Sequence, residues 1–289
     1  MITIRVPGTT ANLGPGFDCL GLALGVYGYF TFEERESGLE FENVAPEFQN
    51  EDNLAIRGYR RAIQEMGLTQ PGIYLHIESD IPVSSGLGSS ASLIVAGVVA
   101  ANELHGRLLN SQTLLNLVTE LEGHPDNVAP ALYGNLTAAF MHEGHAMVAR
   151  YAIHPDVRFF ALIPEFELST HAARAALPKA VDFADAVFNV SHTAALLRGL
   201  ETGDAALIGA ALRDRLHQPY RKALIPGYDA VTALAEDAGA YAVFLSGAGP
   251  TIMALAGADF PERAGRLAQM PGGWRIVTLR VDVEGATIL

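Results

Sequence analysis

Cysteine and lysine are nearly absent from this sequence. Of 289 residues one is cysteine, Cys19, and the only lysines are Lys179 and Lys222. A single cysteine excludes an internal disulfide, and no Cys/His cluster has the spacing of a zinc site. Both facts fit a reducing cytoplasm. Positive charge is scarce overall, with 19 Lys plus Arg against 32 Asp plus Glu and a net charge of −13. Such a surface repels phosphodiester backbones and anionic lipid, so neither nucleic acid nor membrane is expected as a partner. Any anion bound here has to be met by arginine, backbone N–H groups or a metal ion. Long hydrophobic runs are missing too. The richest small-apolar stretch, Ala91 to Ala101, is interrupted by Ser92 and Gly97 and is too short to cross a bilayer. The first residues, Met1 to Gly14, have neither the basic nor the apolar region of a secretion signal. A soluble cytoplasmic protein is the expectation.

What is present is a globular composition, 49% hydrophobic and 18% charged, in a chain long enough for two domains of roughly 100 to 200 residues each. Alternation predicts strands at Ile2–Val6, Gly72–Glu78, Leu136–Phe140 and Met147–Ile153, and a hairpin pairing Thr31–Glu34 with Leu39–Val44 across Ser37-Gly38. Helical spacing predicts helices after Asp52 or Asn53, over Ala91–Leu104 and over 112–122, with His124 to Asn127 as a loop. After Pro155 the pattern restarts with a strand over Phe159–Leu168. Helix follows from Asp182 to Ala235 in three pieces, then strand, glycine turn and strand over Tyr241–Leu255, a helix over Pro261–Met270 and a last strand over Trp274–Val283. This is an α+β chain without regular βα alternation, divided into 1–154 and 155–289, with a cleft between the two units.

The strongest local signal is Pro82-Val-Ser-Ser-Gly-Leu-Gly-Ser-Ser-Ala-Ser92, a Gly/Ser loop between a strand and a helix start. The first N–H groups of a helix lack partners and carry partial positive charge, which makes such a junction an anion site. Gly86 and Gly88 allow backbone to approach a phosphate, and Ser84, Ser85, Ser89 and Ser90 offer hydroxyls to phosphate or to a hard cation. The loop has neither the lysine of a Walker loop nor the spacing of a dinucleotide fingerprint.

Three ordered motifs carry a resemblance. Pro82 to Ser92 resembles the ATP-binding motif of the galactokinase, homoserine kinase, mevalonate kinase and phosphomevalonate kinase (GHMP) superfamily. Pro7-Gly-Thr-Thr-Ala-Asn-Leu-Gly-Pro-Gly-Phe-Asp18 resembles its N-terminal substrate motif, and Leu245-Ser-Gly-Ala-Gly-Pro-Thr251 its C-terminal glycine motif. Four further segments are similar to the homoserine kinases of that superfamily: His124-Pro-Asp-Asn-Val-Ala-Pro130, Ser169-Thr-His-Ala-Ala-Arg174, Leu177-Pro-Lys-Ala-Val181 and Gln218-Pro-Tyr-Arg221.

The resemblance implies a two-domain GHMP kinase fold, with an N-terminal unit like ribosomal protein S5 domain 2, a ferredoxin-like C-terminal unit and the active site between them. It implies ATP and Mg2+ as cofactors and L-homoserine as the small-molecule substrate, phosphorylated on its hydroxyl in threonine biosynthesis. ATP would lie on Pro82, Ser84, Ser85, Gly86, Leu87, Gly88, Ser89, Ser90, Ala91 and Ser92. The substrate site would comprise Asn12, Asp18, His124, Asp126, Thr170, Arg174, Arg221, Gly247 and Gly249. Guanidinium matches a carboxylate bidentately, so Arg174 and Arg221 suit the substrate carboxylate, with Asp18 or Asp126 facing the ammonium.

Ser90 and a glutamate of the helix over 112–122 would hold magnesium. Glu120 is preferred over Glu122 because Thr-Glu-Leu-Glu-Gly matches the family's G-E-L-E-G. Mevalonate-type relatives place a lysine beside an aspartate base, and Thr9-Thr10 offers none. Direct in-line transfer is therefore expected, with Asn127 orienting the hydroxyl and Asp126 beside it. A sibling alcohol kinase, a catalytically silent nucleotide-binding relative and a homodimer all stay open at this point. His142, His145 and His154 are expected in solvent, Cys19 in packing, Arg60 and Arg61 on a solvated helix face and Trp274 in a core.

Overall fold

The computed structural model describes all 289 residues. The first unit is a seven-stranded sheet with helices on one face. β1 (Ile2–Ala11) and β2 (Leu20–Arg35) form its long antiparallel pair. β3 (Leu39–Glu42), α1 (Leu54–Glu65), β4 (Gly72–Ser79), α2 (Ser89–Leu104), α3 (Ser111–Glu122), α4 (Pro125–Tyr133), β5 (Leu136–His142) and β6 (His145–Tyr151) follow. Asn53 starts α1 by accepting a hydrogen bond from the Ala55 N–H, and Ala55, Ile56, Tyr59, Ala62 and Ile63 form its buried stripe. α2 has apolar side chains all round and is buried along most of its length between α1, the sheet and α4. The Gly/Ser loop therefore leads into a helix that is buried along most of its length.

The second unit contains β7 (Phe159–Ile163), α5 (Thr170–Ala175), α6 (Phe183–Thr202), α7 (Ala205–Ala211), α8 (Gln218–Arg221), α9 (Tyr228–Asp237), β8 (Ala240–Leu245), β9 (Ile252–Ala256), α10 (Phe260–Arg263) and β10 (Arg275–Leu279). Its four-stranded sheet has the order β10-β7-β9-β8 and is antiparallel throughout. A single apolar cluster joins the two units: Leu13, Leu22 and Leu87 from the first pack with Phe159, Leu212 and Phe244 from the second. This shared core holds the two walls of the cleft at a set spacing. Trp274 lies in a separate core on the other side of the second sheet.

Several expectations are corrected. Residues 31–44 do not form a hairpin: β4 inserts between β2 and β3, pairing antiparallel with β2 and parallel with β3. β4 brings Ile73 and Leu75 into the core, so the inner place goes to the more apolar strand. His124–Asn127 is not a loop but the start of α4, with Pro125 in the first helical turn, where its missing N–H loses no bond. The strand from Phe159 stops at Ile163, the 182–235 region forms four helices, α10 continues only as a 3-10 turn, and the strand from 274 ends at Leu279. The unit 155–289 also gives up its end to the first sheet, because Val281 bridges Leu24 and β11 (Thr287–Ile288) pairs with β1.

Candidate active site

A polar cavity of about 160 Å3 opens between the units, lined at one end by Ser84, Gly86, Gly88, Ser89 and Ser90. Gly88 is the N-cap of α2 and has φ +75°, a conformation that side chains disfavour. A Cβ there would also lie 2.1 Å from the Thr9 hydroxyl, so this glycine lets the loop rest on β1. The Thr9 N–H donates to the Leu87 carbonyl and the Thr251 N–H to that of Ser85, tying the loop to both units. No side chain caps the helix, and its first-turn N–H groups remain available to an anion. The rest of the motif supports this surface without lining it. Leu87 and Ala91 are buried in the core, Ser85 donates to the Pro82 carbonyl, and Ser92 donates to that of Ser89.

Glu120, the glutamate preferred from the sequence, is not the one that stands at the cavity. Glu120 faces outward and forms a bidentate pair with Arg61 (3.0 and 3.1 Å). Glu122 lines the cavity and accepts a 2.7 Å hydrogen bond from the Ser90 hydroxyl. The helical twist of α3 sets residues two apart on different faces, and Glu122 is the last residue before the left-handed C-cap at Gly123. Burial pushes the Glu122 carboxyl above its ordinary value, only partly offset by Ser90 and His124. A part-buried carboxylate beside a hydroxyl, with no lysine or arginine paired to it, fits a hard divalent cation such as magnesium.

α4 places the next group. A Cβ on Gly21 would come within 1.7 Å of the Asp126 carbonyl, so only glycine lets the first turn of α4 lie against β2. That contact sets Asp126 and Asn127 beside the end of β1. The Asn127 Oδ1 accepts from the Thr9 hydroxyl at 2.8 Å, which leaves its Nδ2 free of partners in the chain. The His124 Nδ1 donates to the 1%-exposed Asp126 carboxylate at 2.5 Å. Burial pulls the His124 imidazole down, but the bond to Asp126 and the charges of Asp126, Glu122 and Asp18 together raise it above its ordinary value.

The opposite end is charged. Asp18 and Arg174 form a bidentate pair at 2.9 and 3.0 Å, both partly exposed to the cavity. Arg221 is only 2% exposed. Its Nη1 donates to the Gly247 carbonyl at 3.0 Å and its Nε to that of Ala173 at 3.2 Å, leaving Nη2 without a partner in the chain. Burial and the nearby Arg174 pull its guanidinium below the usual value. Asn12 anchors the floor, its Nδ2 donating to the same Gly247 carbonyl at 2.9 Å and its Oδ1 accepting from the Asp18 N–H at 3.0 Å. Thr170, at the start of α5, completes the rim. Gly249 does not line the cavity. Its N–H donates to the Ser246 carbonyl, and it turns the chain behind the site.

The structure thus gathers Asn12, Asp18, Ser90, His124, Asp126, Asn127, Thr170, Arg174, Arg221 and Gly247 at one cavity. Sequence reading passed over Thr9, Phe17, Ser246 and His217. The Phe17 ring stacks on that of His217, and the Arg174 and Arg221 guanidinium groups lie 5.8 and 5.2 Å from its centre. The Ser246 hydroxyl donates to the Gly86 carbonyl at 2.6 Å and holds the glycine motif against the ATP-motif loop. Thr9, Phe17 and Ser246 lie inside motifs already noted, and His217 stands four residues before Arg221. A larger recess of about 460 Å3 lies on the far side of α8, but its lining gathers none of these groups.

Comparison with known proteins agrees with this geometry. The profile for the GHMP kinases N terminal domain matches residues 53–135, and that for the GHMP kinases C terminal domain matches 196–269. A homoserine kinase of Clostridium botulinum (strain Okra) is 44% identical over 292 residues, covering 100% of this chain and 98% of that protein. A homoserine kinase of Trichormus variabilis is 45% identical over 301 residues, covering 99% and 98%. The crystal structure of homoserine kinase from Cytophaga hutchinsonii superposes with a TM-score of 0.87 at 30% identity, covering 100% of this chain and 97% of that one. No helix here is long and apolar enough to cross a membrane. With full-length similarity to homoserine kinases, and with domain profiles that span the Pro82–Ser92, His124–Pro130, Gln218–Arg221 and Leu245–Thr251 motifs, the chain belongs to the GHMP kinase family, on its homoserine kinase branch.

Proposed function

We propose that this protein transfers the γ-phosphoryl group of ATP to the hydroxyl of L-homoserine, giving O-phospho-L-homoserine, as a step of threonine biosynthesis in the cytoplasm. The observation that carries the reading is one cavity with an anion-binding helix start at one end and a paired Asp18 and Arg174 beside buried Arg221 at the other. Homoserine is a zwitterion with a hydroxyl on its side chain. Its ammonium meets Asp18, which is more open to the cavity than Asp126, and its carboxylate meets Arg174 and the free Nη2 of Arg221. A partly exposed ion pair is worth about 0–1 kcal/mol, so admitting the substrate's charges between Asp18 and Arg174 loses little.

The phosphates lie on the first turn of α2, where N–H groups and the helix dipole favour negative charge. Bound magnesium would neutralise charge on the phosphate oxygens, and Ser90 and Glu122 are the residues that would hold it. Asn127, fixed by Thr9, presents its Nδ2 to the substrate hydroxyl and orients it for in-line attack. The new P–O bond forms as the bond to the β,γ-bridging oxygen breaks, and the hydroxyl proton leaves with the phosphoryl oxygens. Phosphoryl transfer depends mainly on positioning and charge neutralisation, so no strong base is required. His124, raised by Asp126, serves as a donor to the substrate rather than as a base.

A coupled ADP-release assay with ATP and magnesium tests the reading against homoserine, mevalonate, galactose and 4-hydroxybutanoate. Homoserine should be preferred by about 100-fold or more, because the other compounds leave site charges unpaired. Preference for mevalonate or galactose would replace the reading with that of a sibling alcohol kinase.

A further inference from the structure

The 12–18 loop, which carries Asn12 and Asp18, is held in an unusual conformation. Asn12, Leu13 and Gly14 are consecutive residues with φ of +71°, +40° and +69°, and Asp18 has +52°. Non-glycine residues with positive φ are strained, and they persist only where the surroundings over-determine them. Backbone bonds within the loop, such as the Asn12 N–H to the Leu20 carbonyl and the Gly16 N–H to that of Asn12, supply part of the restraint, and the second unit supplies the rest. The Asn189 Nδ2 donates to the Pro15 carbonyl at 2.9 Å, and the His217 Nε2 lies 2.9 Å from the Gly14 carbonyl.

His217 is fully buried and its roles are dictated by its partners. A carbonyl only accepts, so Nε2 carries the proton. A guanidinium only donates, so Nδ1, 3.4 Å from the Arg221 Nη1, is the acceptor. The ring is therefore neutral, in keeping with burial, which lowers its basicity. The same Arg221 nitrogen donates to the Gly247 carbonyl, which also accepts from Asn12, whose Oδ1 accepts from the Asp18 N–H. The hydrogen bonds thus close a ring: Gly14, His217, Arg221, Gly247, Asn12 and back to the same loop. His217 is in this ring but not in the lining of the cavity. Asp214 fixes its backbone, accepting from the N–H groups of Leu216, His217 and Gln218, and its carboxylate also stands 3.5 Å from Nε2, in keeping with a proton on that nitrogen.

We infer that His217 is a positioning residue that sets the spacing between Asp18 and Arg221, and thereby selects for a substrate with an ammonium and a carboxylate at that separation. The inference rests on the homoserine reading and deepens it. His217 touches neither substrate nor phosphate. It acts by coupling the strained loop of one unit to the buried arginine of the other.

The test uses the full chain with His217→Phe, which keeps ring volume but loses both hydrogen bonds, and His217→Gln, which keeps one donor and one acceptor. His217→Phe should raise the homoserine KM by about tenfold or more, the equivalent of losing one or two net hydrogen bonds. The ATP KM should stay near wild type, and the preference for homoserine over 4-hydroxybutanoate, which lacks the ammonium, should narrow. His217→Gln should restore most of both. An unchanged homoserine KM in folded His217→Phe, or homoserine and ATP KM values rising in parallel without rescue by glutamine, would overturn the inference.

If His217→Phe does not fold, 15N NMR of histidine in the wild-type protein decides. The expected signal is a neutral Nε2–H ring whose Nδ1 resonance moves on adding homoserine but not on adding a non-hydrolysable ATP analogue. A charged or Nδ1–H ring, or an Nδ1 resonance blind to homoserine, overturns it. Wild-type enzyme that ignores homoserine would count against the proposed function instead, and the tautomer would still judge the ring.

Discussion

At the phosphate end of the cleft, Ser84, Gly86, Gly88, Ser89 and Ser90 come from one unbroken stretch of chain, and its donors are hydroxyls and backbone N–H groups. At the charged end, the proposed substrate end, Asn12, Asp18, His124, Asp126, Arg174 and Arg221 come from separated segments of both units, and the groups offered are side chains. A phosphate needs convergent N–H groups, which a helix start supplies locally. A zwitterion needs opposite charges at a set distance, and only packing between distant segments produces that. The donors of the first end are therefore set by local chain geometry, with Ser246 and Thr251 bracing the loop from the second unit, whereas the spacing of charges at the second end is set wholly by how the segments pack.

The largest expected effect sits where the two ends meet. Glu122→Gln should lower kcat by about 100-fold or more, since in the proposed reading it removes a carboxylate that would hold magnesium and so weakens charge neutralisation at the phosphates. The same change should stabilise the free protein at neutral pH. The Glu122 value is raised on folding, so its contribution to stability is full below the ordinary carboxylate value and is lost as pH rises through the folded one. Melting curves of wild type and variant should therefore diverge at neutral pH and converge in acid, with the variant higher. For the same reason the apparent magnesium affinity of the wild type should weaken as pH falls through that range.

Next comes the charged wall. Arg221→Ala should lower kcat/KM for homoserine by about 100-fold, as expected when a charged partner is lost from a buried site. Arg174→Ala, at a more exposed position, should lower it by about tenfold. ATP binding by calorimetry should be little changed in both, and an equal loss of ATP affinity would erase the distinction between the two ends.

Gly88→Ala probes the phosphate end. Positive φ and the collision with Thr9 should destabilise the protein by about 1–3 kcal/mol and weaken ATP binding, read by denaturant melts and calorimetry. A variant with normal stability and normal ATP affinity would break the account of the loop. The smallest effect is expected for Glu120→Gln, which removes a surface pair with Arg61 worth about 0–1 kcal/mol and should leave turnover unchanged.

Legibility followed the same division. The Gly/Ser loop and the helix after it could be read directly, because local N–H geometry and side-chain type suffice. The candidate residues at the charged end could be named from motifs, but not their contacts: nothing in the order of residues says that Asp18 pairs with Arg174, or that Asn12 and Arg221 share one carbonyl. Glu120 and Glu122 were separable only by the rotation of α3 about its axis, which the packing of α3 on α2 and α4 decides. The false hairpin at 31–44 has a similar cause, since β3 alternates well enough for either partner and only the more apolar β4 settles which strand lies inside.

By itself the sequence determined a two-unit α+β chain, a Gly/Ser loop at a helix start, a family of kinases and most of the residues that line the cavity. These rest on local periodicity, side-chain chemistry and motif order, all carried by neighbouring residues. Only the tertiary structure decided which glutamate stands beside Ser90, that the chain end returns to β1, and that His217 links the Gly14 loop to Arg221. Those outcomes depend on contacts between residues up to hundreds of positions apart, and their energies exist only once the shared core has brought the two units together.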